Sequence, residues 1–400
     1  MNTKPLQPKA RVALTLHGLC TAASALCEIF VSVYFFRIRH DFGLVCWHYF
    51  AVFSVTPLLF LVSGWFAQRW DRLYPYRVGV VLYALYYLML LILRERSSDF
   101  AVPLGILLGI TWGFYWSGVN TFNFDVSEPG NRERYFGFMQ AVSGIMRFAA
   151  PLAGGLFIGL ASDNLMGYYL VFAMAIACYA SAFVLSFWMP GDRERRPYRL
   201  KRALFPGKDQ RDWRLIMIAA FTLAGTFNIF AFLLGLLMYM KTENEVNVGF
   251  LASSQSIAAI VTAFFVGRTM APRSRLKYMR WGVAMLLAAG MLMFTELSLL
   301  TLLLFGLLRS TAGPLFGIPH FSLRMDAIAN CAEEPHQRIE YISAWEVPLA
   351  MGRIVMMLVI IGLSDWLEEG DLGIRITLFL LCTFRIATYF LLSKTSTARG

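Results

Sequence analysis

Charge is what this chain of 400 residues has least of. Asp, Glu, Lys and Arg together make up 15% of it while apolar residues reach 58%, against roughly 25% and 45–50% in soluble domains. With a mean hydropathy of +0.57, a soluble globule is excluded and a polytopic membrane protein remains. The six cysteines, Cys20, Cys27, Cys46, Cys178, Cys331 and Cys382, show no paired spacing and fall mostly inside apolar runs. That speaks against a disulfide framework or a zinc site and makes them small core residues. Five scattered histidines, His17, His40, His48, His320 and His336, form no acid–histidine cluster at ligand spacing, so neither a metal centre nor a membrane enzyme is expected, and no cofactor. The phosphate-cradling pattern Gly-x-x-x-x-Gly-Lys-Ser/Thr does not occur, so ATP is not the energy source. At the N-terminus, Lys4, Lys9 and Arg11 precede an apolar run that lacks a small-residue cleavage site and continues for a full span. It reads as a first helix that is retained.

A span needs about 20 apolar residues, and hydropathy broken at charge clusters and Gly/Pro turns predicts helices near 12–36, 44–67, 77–94, 101–124, 135–160 and 166–189. A second set is predicted near 214–240, 248–269, 279–297, 298–323, 338–363 and 372–393. Between the sets, the stretch "PGDRERRPYRLKRALFPGKDQRDWR" is dense in charge and bracketed by prolines, and cannot span. The expected organisation is a six-helix bundle over 1–190, a cytoplasmic linker over 191–213 and a second six-helix bundle over 214–400. Most of the 36 Lys and Arg fall in the N-terminal tail, the even-numbered loops and the C-terminal tail. The positive-inside rule puts those regions, and both termini, on the cytoplasmic side of the inner membrane. The net charge of +11 is then accounted for by anionic lipid headgroups, with no nucleic-acid partner.

The two sets of helices resemble each other. Gly64, Arg72, Leu73 and Arg77 recur at one constant offset as Gly267, Arg275, Leu276 and Arg280. "NRERYFGFMQAVSGIMR" recurs at a slightly larger offset as "QRIEYISAWEVPLAMGR", aligning Arg132 with Arg338, Tyr135 with Tyr341 and Arg147 with Arg353. Parallel repeats of six helices are the ground plan of one large transporter class. In topology the whole chain resembles the major facilitator superfamily. That superfamily's signature after helix two runs roughly Gly-x-x-Ala-Asp-Arg-x-Gly-Arg. This chain has Gly64, Ala67, Arg69 and Arg72, with Gln68 where the aspartate stands and Asp71 where the second glycine stands. The resemblance implies that Gln68, Arg69, Asp71 and Arg72 form a gating loop. "FVSVYFFRI", "GFYWSGVNTFNFDVSEP" and "EYISAWEVPLAMGR" are similar to poorly characterised bacterial members, which supply no substrate.

A charge in the hydrocarbon region costs about 2.5–3.5 kcal/mol on the lenient insertion scale, so it normally faces a cavity and has a partner. In helix eleven, Glu346 and Arg353 stand two helical turns apart and therefore share a face. By the resemblance, helices five and eleven border the central cavity, so Arg147 faces Arg353 across the route. Two readings follow. Converging guanidiniums would form an anion-selective pocket, since their forked donors suit carboxylate or phosphate; alternatively each is neutralised in its own half, Arg353 by Glu346 and Arg147 by Glu28. Helix one carries His17, Thr21, Ser24, Glu28 and Ser32 in one polar stripe, and Glu28, the isolated acid of that half, is the candidate proton carrier together with Glu346. Helix four offers Trp116, Asn120, Asn123 and Tyr115, and helix ten offers Arg309 and His320, where Pro314 and Pro319 should loosen the helix. Substrate-binding candidates are thus Arg147, Arg353, Trp116, Asn120, Tyr115, His320 and Arg309. Helix five ends "APLAGG", similar to the Gly-Pro-x-x-Gly-Gly element of the superfamily's exporters.

The sequence therefore predicts an all-α membrane protein of twelve spans: a monomeric, proton-coupled secondary transporter, set amid lipid, for a small organic solute, anionic or amphiphilic. Export is slightly favoured over import. The alternatives are a lipid-headgroup flippase of the same fold and a membrane receptor without flux.

Overall fold

A computed structural model describes residues 8–71, 73–126, 132–161, 165–189, 191, 197–224, 229–332, 337–363 and 371–396, with backbone alone at 121–126, 132–134, 136 and 371–374. Among them no strand occurs. The helices are α1 (Pro8–Arg39), α2 (Phe42–Arg69), α3 (Tyr74–Leu93), α4 (Ala101–Val126), α5 (Arg132–Leu160) and α6 (Met166–Leu185), then a short α7 (Leu200–Leu204), α8 (Arg211–Leu223) and α9 (Ile229–Thr242). They continue with α10 (Glu245–Thr269), α11 (Arg275–Met291), α12 (Leu299–Cys331), α13 (Arg338–Gly362) and α14 (Asp371–Leu392).

Nine helical stretches among the described residues are long and apolar enough to cross a membrane. One of them, Tyr74–Asn120, holds two spans, α3 and most of α4, joined through a tight turn at Arg94–Phe100. The seventh predicted span, 214–240, corresponds to α8 and α9, with 225–228 outside the described residues. Together with α11 and its short extension Leu292–Phe294, these give the twelve spans of an all-α membrane protein.

The helices segregate into two units, Met1–Tyr198 with Asn244–Ser253, and Arg199–Glu243 with Ser254–Gly400. In the first, α4 lies along α2 and α3, and α1 packs on α5 and α6. Lipid tails are as apolar as leucine, so close backbone approach rather than the hydrophobic effect holds such helices together. Gly105, Gly109 and Gly113 recur every four residues on α4 and bring it against the backbone of α2. Buried tyrosines fill the space behind: Tyr83 stacks on Tyr179 with centroids 4.7 Å apart and planes 5° from parallel.

The "APLAGG" end of α5 has a packing role. A Cβ on Gly155 would stand 2.6 Å from the carbonyl oxygen of Glu245, one on Gly249 would run into the carbonyl of Pro151, and Ser253 donates to the carbonyl of Phe148 at 2.7 Å. The start of α10 is thereby laid on α5 within the first unit. Gly249→Ala should accordingly destabilise the protein by about 1–3 kcal/mol through overpacking. Gly267→Ala on the same helix, where nothing lies within 4 Å, should be neutral or slightly stabilising. Thermal unfolding of both variants in detergent checks the contrast, and equal midpoints would refute the packing role.

In the second unit, α8 packs against α13 and α14, and α11 against α12. Trp213, fully buried, meets Tyr341 edge-on at 5.1 Å and donates its indole N–H to the Ala203 carbonyl at 2.8 Å. Tyr341 in turn accepts from Gln210 at 2.8 Å. These bonds tie α7 and the approach to α8 onto the base of α13.

Candidate functional site

In the first unit the polar stripe of α1 faces α5. The Ser143 hydroxyl gives its one proton to the Met139 carbonyl at 2.9 Å, so at 2.6 Å from His17 Nε2 it accepts an N–H from the ring. Thr21 Oγ1 lies 3.4 Å from the same nitrogen. Ser24 and Ser32 return their hydroxyls to carbonyls of α1 itself, those of Thr21 and Ile29. One helical turn beyond Ser143, Arg147 comes close enough to act through its charge on both His17 and Glu28. The Glu28 and Arg147 side chains remain accessible rather than sealed in the packing.

Helix four divides its aromatics between two environments. Tyr115 is buried, 5.2 Å from Tyr83 and 5.9 Å from Tyr76, and so belongs to the packing of α4 on α3. Trp116, 38% exposed, and Asn120, one turn on, stay on an open face; the side chain of Asn123 lies outside the described residues. If Trp116 forms a stacking wall for a solute, Trp116→Ala should weaken solute binding by about 1–3 kcal/mol with little change in thermal midpoint. Unchanged affinity with a lowered midpoint would return the ring to packing. His48 is a core histidine: its Nδ1 donates to the Ala101 carbonyl at 2.8 Å, and Tyr86 OH lies 3.4 Å from Nε2.

In the second unit, Arg353 Nη1 donates to Glu346 Oε1 at 2.7 Å within α13. Both residues are buried, at 2% and 9% exposure. Beside them, α12 and α14 carry three more arginines. Arg309 donates to Gln255 at 2.9 Å and lies 5.2 Å over the Phe230 ring. Arg324 lies 4.0 Å over Trp345, and Arg385 lies 4.7 Å over Phe316. His320, buried, sits between those aromatics, 6.3 Å from Phe316 and 6.1 Å from Trp345. The structure thus gathers Glu346, Arg353, Arg309 and His320 in one unit with Arg324 and Arg385, neither of which the sequence reading placed in a site. Pro314 and Pro319 do not end α12, which runs on to Cys331.

At the signature loop, Gln68 is buried and Arg69 turns out over Trp65 at 5.3 Å. Asp71 shapes the turn into α3: its carboxylate accepts the Leu73 N–H at 2.9 Å and its carbonyl the Tyr74 N–H at 3.0 Å. Arg72 lies outside the described residues. Its repeat counterpart, Arg275, is ion-paired with Asp326 at 2.6 Å. A further pair that the sequence reading did not anticipate joins Arg37, at the end of α1, to Glu245, which also accepts from Tyr168 at 3.0 Å.

Two helical units with charges at mid-span define a multi-pass membrane protein, and its family makes it a transporter rather than an enzyme. The chain belongs to the Major Facilitator Superfamily, whose family model matches residues 18–329. It is similar to the uncharacterised protein YqgE of Bacillus subtilis (strain 168), 29% identical over 368 residues that cover 92% of this chain and 85% of that one. Among solved structures it is similar to a peptide transporter of the POT family in complex with sulfate, with a TM-score of 0.72, 12% identity and 96% coverage of both chains. It is also similar to a bacterial homologue of the iron transporter ferroportin in an inward-facing state, with a TM-score of 0.68, 14% identity and coverage of 96% of this chain and all of the other. At such identities the likeness is one of fold.

Proposed function

We propose that this chain is a proton-coupled secondary transporter of the cytoplasmic membrane, monomeric and with both termini in the cytoplasm, that exports a small organic solute of anionic or amphiphilic character by alternating access. The observation that carries this reading is the accessible Glu28 on α1 within electrostatic reach of Arg147 on α5. An acid and a guanidinium at mid-span cost too much to keep without a role, and a carboxylate that can be protonated beside an arginine supplies a coupling device. When Glu28 takes a proton, Arg147 loses its counter-charge and can hold an anionic or strongly hydrogen-bonding solute. When Glu28 gives the proton up, it competes for the guanidinium again. Trp116 and Asn120 supply a flat apolar surface and an amide next to this path. The bundles over 1–190 and 214–400, joined by the 191–213 linker, are the bodies that would rock. Basic loops against anionic headgroups support the orientation and leave no call for nucleic acid, and the small residues of "APLAGG" support export.

The test is a solute-accumulation screen in inverted and right-side-out vesicles, with and without an imposed pH gradient. Uptake into inverted vesicles that collapses with the gradient is the expected result. Uptake confined to right-side-out vesicles would reverse the direction, gradient-independent flux would remove the proton, and binding without counterflow would make the protein a receptor.

A further inference from the structure

The second unit holds more positive charge at buried and partly buried positions than its ion pairs balance. Among the described residues, no carboxylate stands within ion-pair distance of Arg309, Arg324 or Arg385, and Arg353 holds Glu346. Arg309 is met by the neutral Gln255. Arg324 and Arg385 lie over aromatic faces, those of Trp345, Phe321 and Phe316 at 4.0, 5.1 and 4.7 Å, and Glu346 reaches Arg324 through its charge without pairing with it. Their Nε atoms are buried without a hydrogen-bond partner, and so are His320 Nε2 and Trp345 Nε1. His320 and Trp345 are themselves 6% and 8% exposed. The four nitrogens belong to one run of contacts, Arg385 on Phe316, Phe316 beside His320, His320 beside Trp345, and Trp345 under Arg324. Both guanidiniums also act on His320 through their charge.

All four nitrogens can donate and three of them can only donate. Folded proteins rarely leave such donors empty, and water or a neutral ligand would leave the charge uncompensated. An oxyanion answers every one of these needs, while the rings around it suit an apolar body. We propose that His320, Arg324, Trp345 and Arg385 bind the carboxylate or phosphate head of an organic anion, wholly within the second unit. This site is separate from the Arg147 site of the transporter reading and does not rest on it.

Calorimetry on the purified full-length chain in detergent, with sodium benzoate and phenyl phosphate as probes and benzamide as the neutral isostere of benzoate, tests it. At least one anion should bind, and benzamide should bind ten-fold or more weakly. Arg324→Gln and Arg385→Gln should each weaken the anion about ten-fold or more, as expected for loss of a charge-assisted bond. Without anion, both variants should melt at or above the wild-type temperature, because each removes a partly buried charge that makes no ion pair. Equal binding of benzoate and benzamide, no binding of either anion, or wild-type affinity in both variants would overturn the site. So would lowered midpoints in both variants without anion, which would show that the guanidiniums are already satisfied. Flux in proteoliposomes separates the two readings: anion binding without flux keeps the site and removes the transporter reading, whereas flux with binding indifferent to both variants does the reverse.

Discussion

Arg353→Ala should lower the stability of the protein by about 3–5 kcal/mol, and adding Glu346→Gln should return most of that loss. Desolvating two charges is expensive, and the pair survives because Arg353 Nη1 and Glu346 Oε1 lie 2.7 Å apart with both residues buried. Removing the cation leaves a buried carboxylate inside a helical unit without its donor. Neutralising the acid as well removes the orphan, so the double variant should unfold close to wild type. The pair stands on a helix that lies directly on its neighbour, since a Cβ on Gly352 would collide with the Phe221 carbonyl on α8. A shift of α13 to rescue a lone Glu346 is therefore not cheap. Denaturation midpoints of the two single variants and the double variant in detergent decide the matter. Additive losses, with no recovery in the double variant, would show that Arg353 and Glu346 stabilise the unit through other contacts.

Much of the fold was legible because it depends on properties that one sequence carries locally. Apolar run length fixed the number of spans, and the internal repeat anticipated that α5 and α13 begin alike, at Arg132 and Arg338, each with a buried tyrosine three residues on, Tyr135 and Tyr341. The Glu346–Arg353 spacing is local as well, so their shared face could be read directly. Helix ends were harder, and three of the missed residues, Arg324, Arg37 and Glu245, lie just beyond the expected ends. Ending helix ten at 323 left Arg324 in a loop, whereas α12 continues through both prolines to Cys331. Ending helix one at 36 and starting helix eight at 248 hid Arg37 and Glu245, whose pairing joins positions 208 residues apart. A hydropathy window cannot see such a pair, because the charges themselves mark the window's edge. Arg385 was not placed in a site for a different reason: its neighbour is the face of Phe316, and nothing in a sequence distinguishes a phenylalanine that carries a cation from one that fills space.

Arg147→Ala should abolish solute binding, by contrast, while changing stability little. Arg147 aligns with Arg353, but the counterpart of Glu346 in the first unit is the neutral Gln140, so Arg147 has no acid on its own helix at that spacing. The charge that answers it comes from Glu28 on α1, and both side chains are accessible where Arg353 and Glu346 are buried. An accessible charge loses little hydration, so its removal leaves no stranded partner and costs the fold about 1 kcal/mol or less. It does remove the forked donor that an anion would need. Glu28→Gln should act differently. It mimics the protonated acid and leaves Arg147 available, so binding and solute exchange should persist while accumulation driven by a pH gradient disappears. Binding in detergent, exchange and gradient-driven uptake in proteoliposomes, each measured for Arg147→Ala, Glu28→Gln and Arg353→Ala, separate the roles. Equal loss of binding in Arg147→Ala and Arg353→Ala would mean that the two arginines act together on the solute. Full gradient-driven uptake by Glu28→Gln would move the proton to another group.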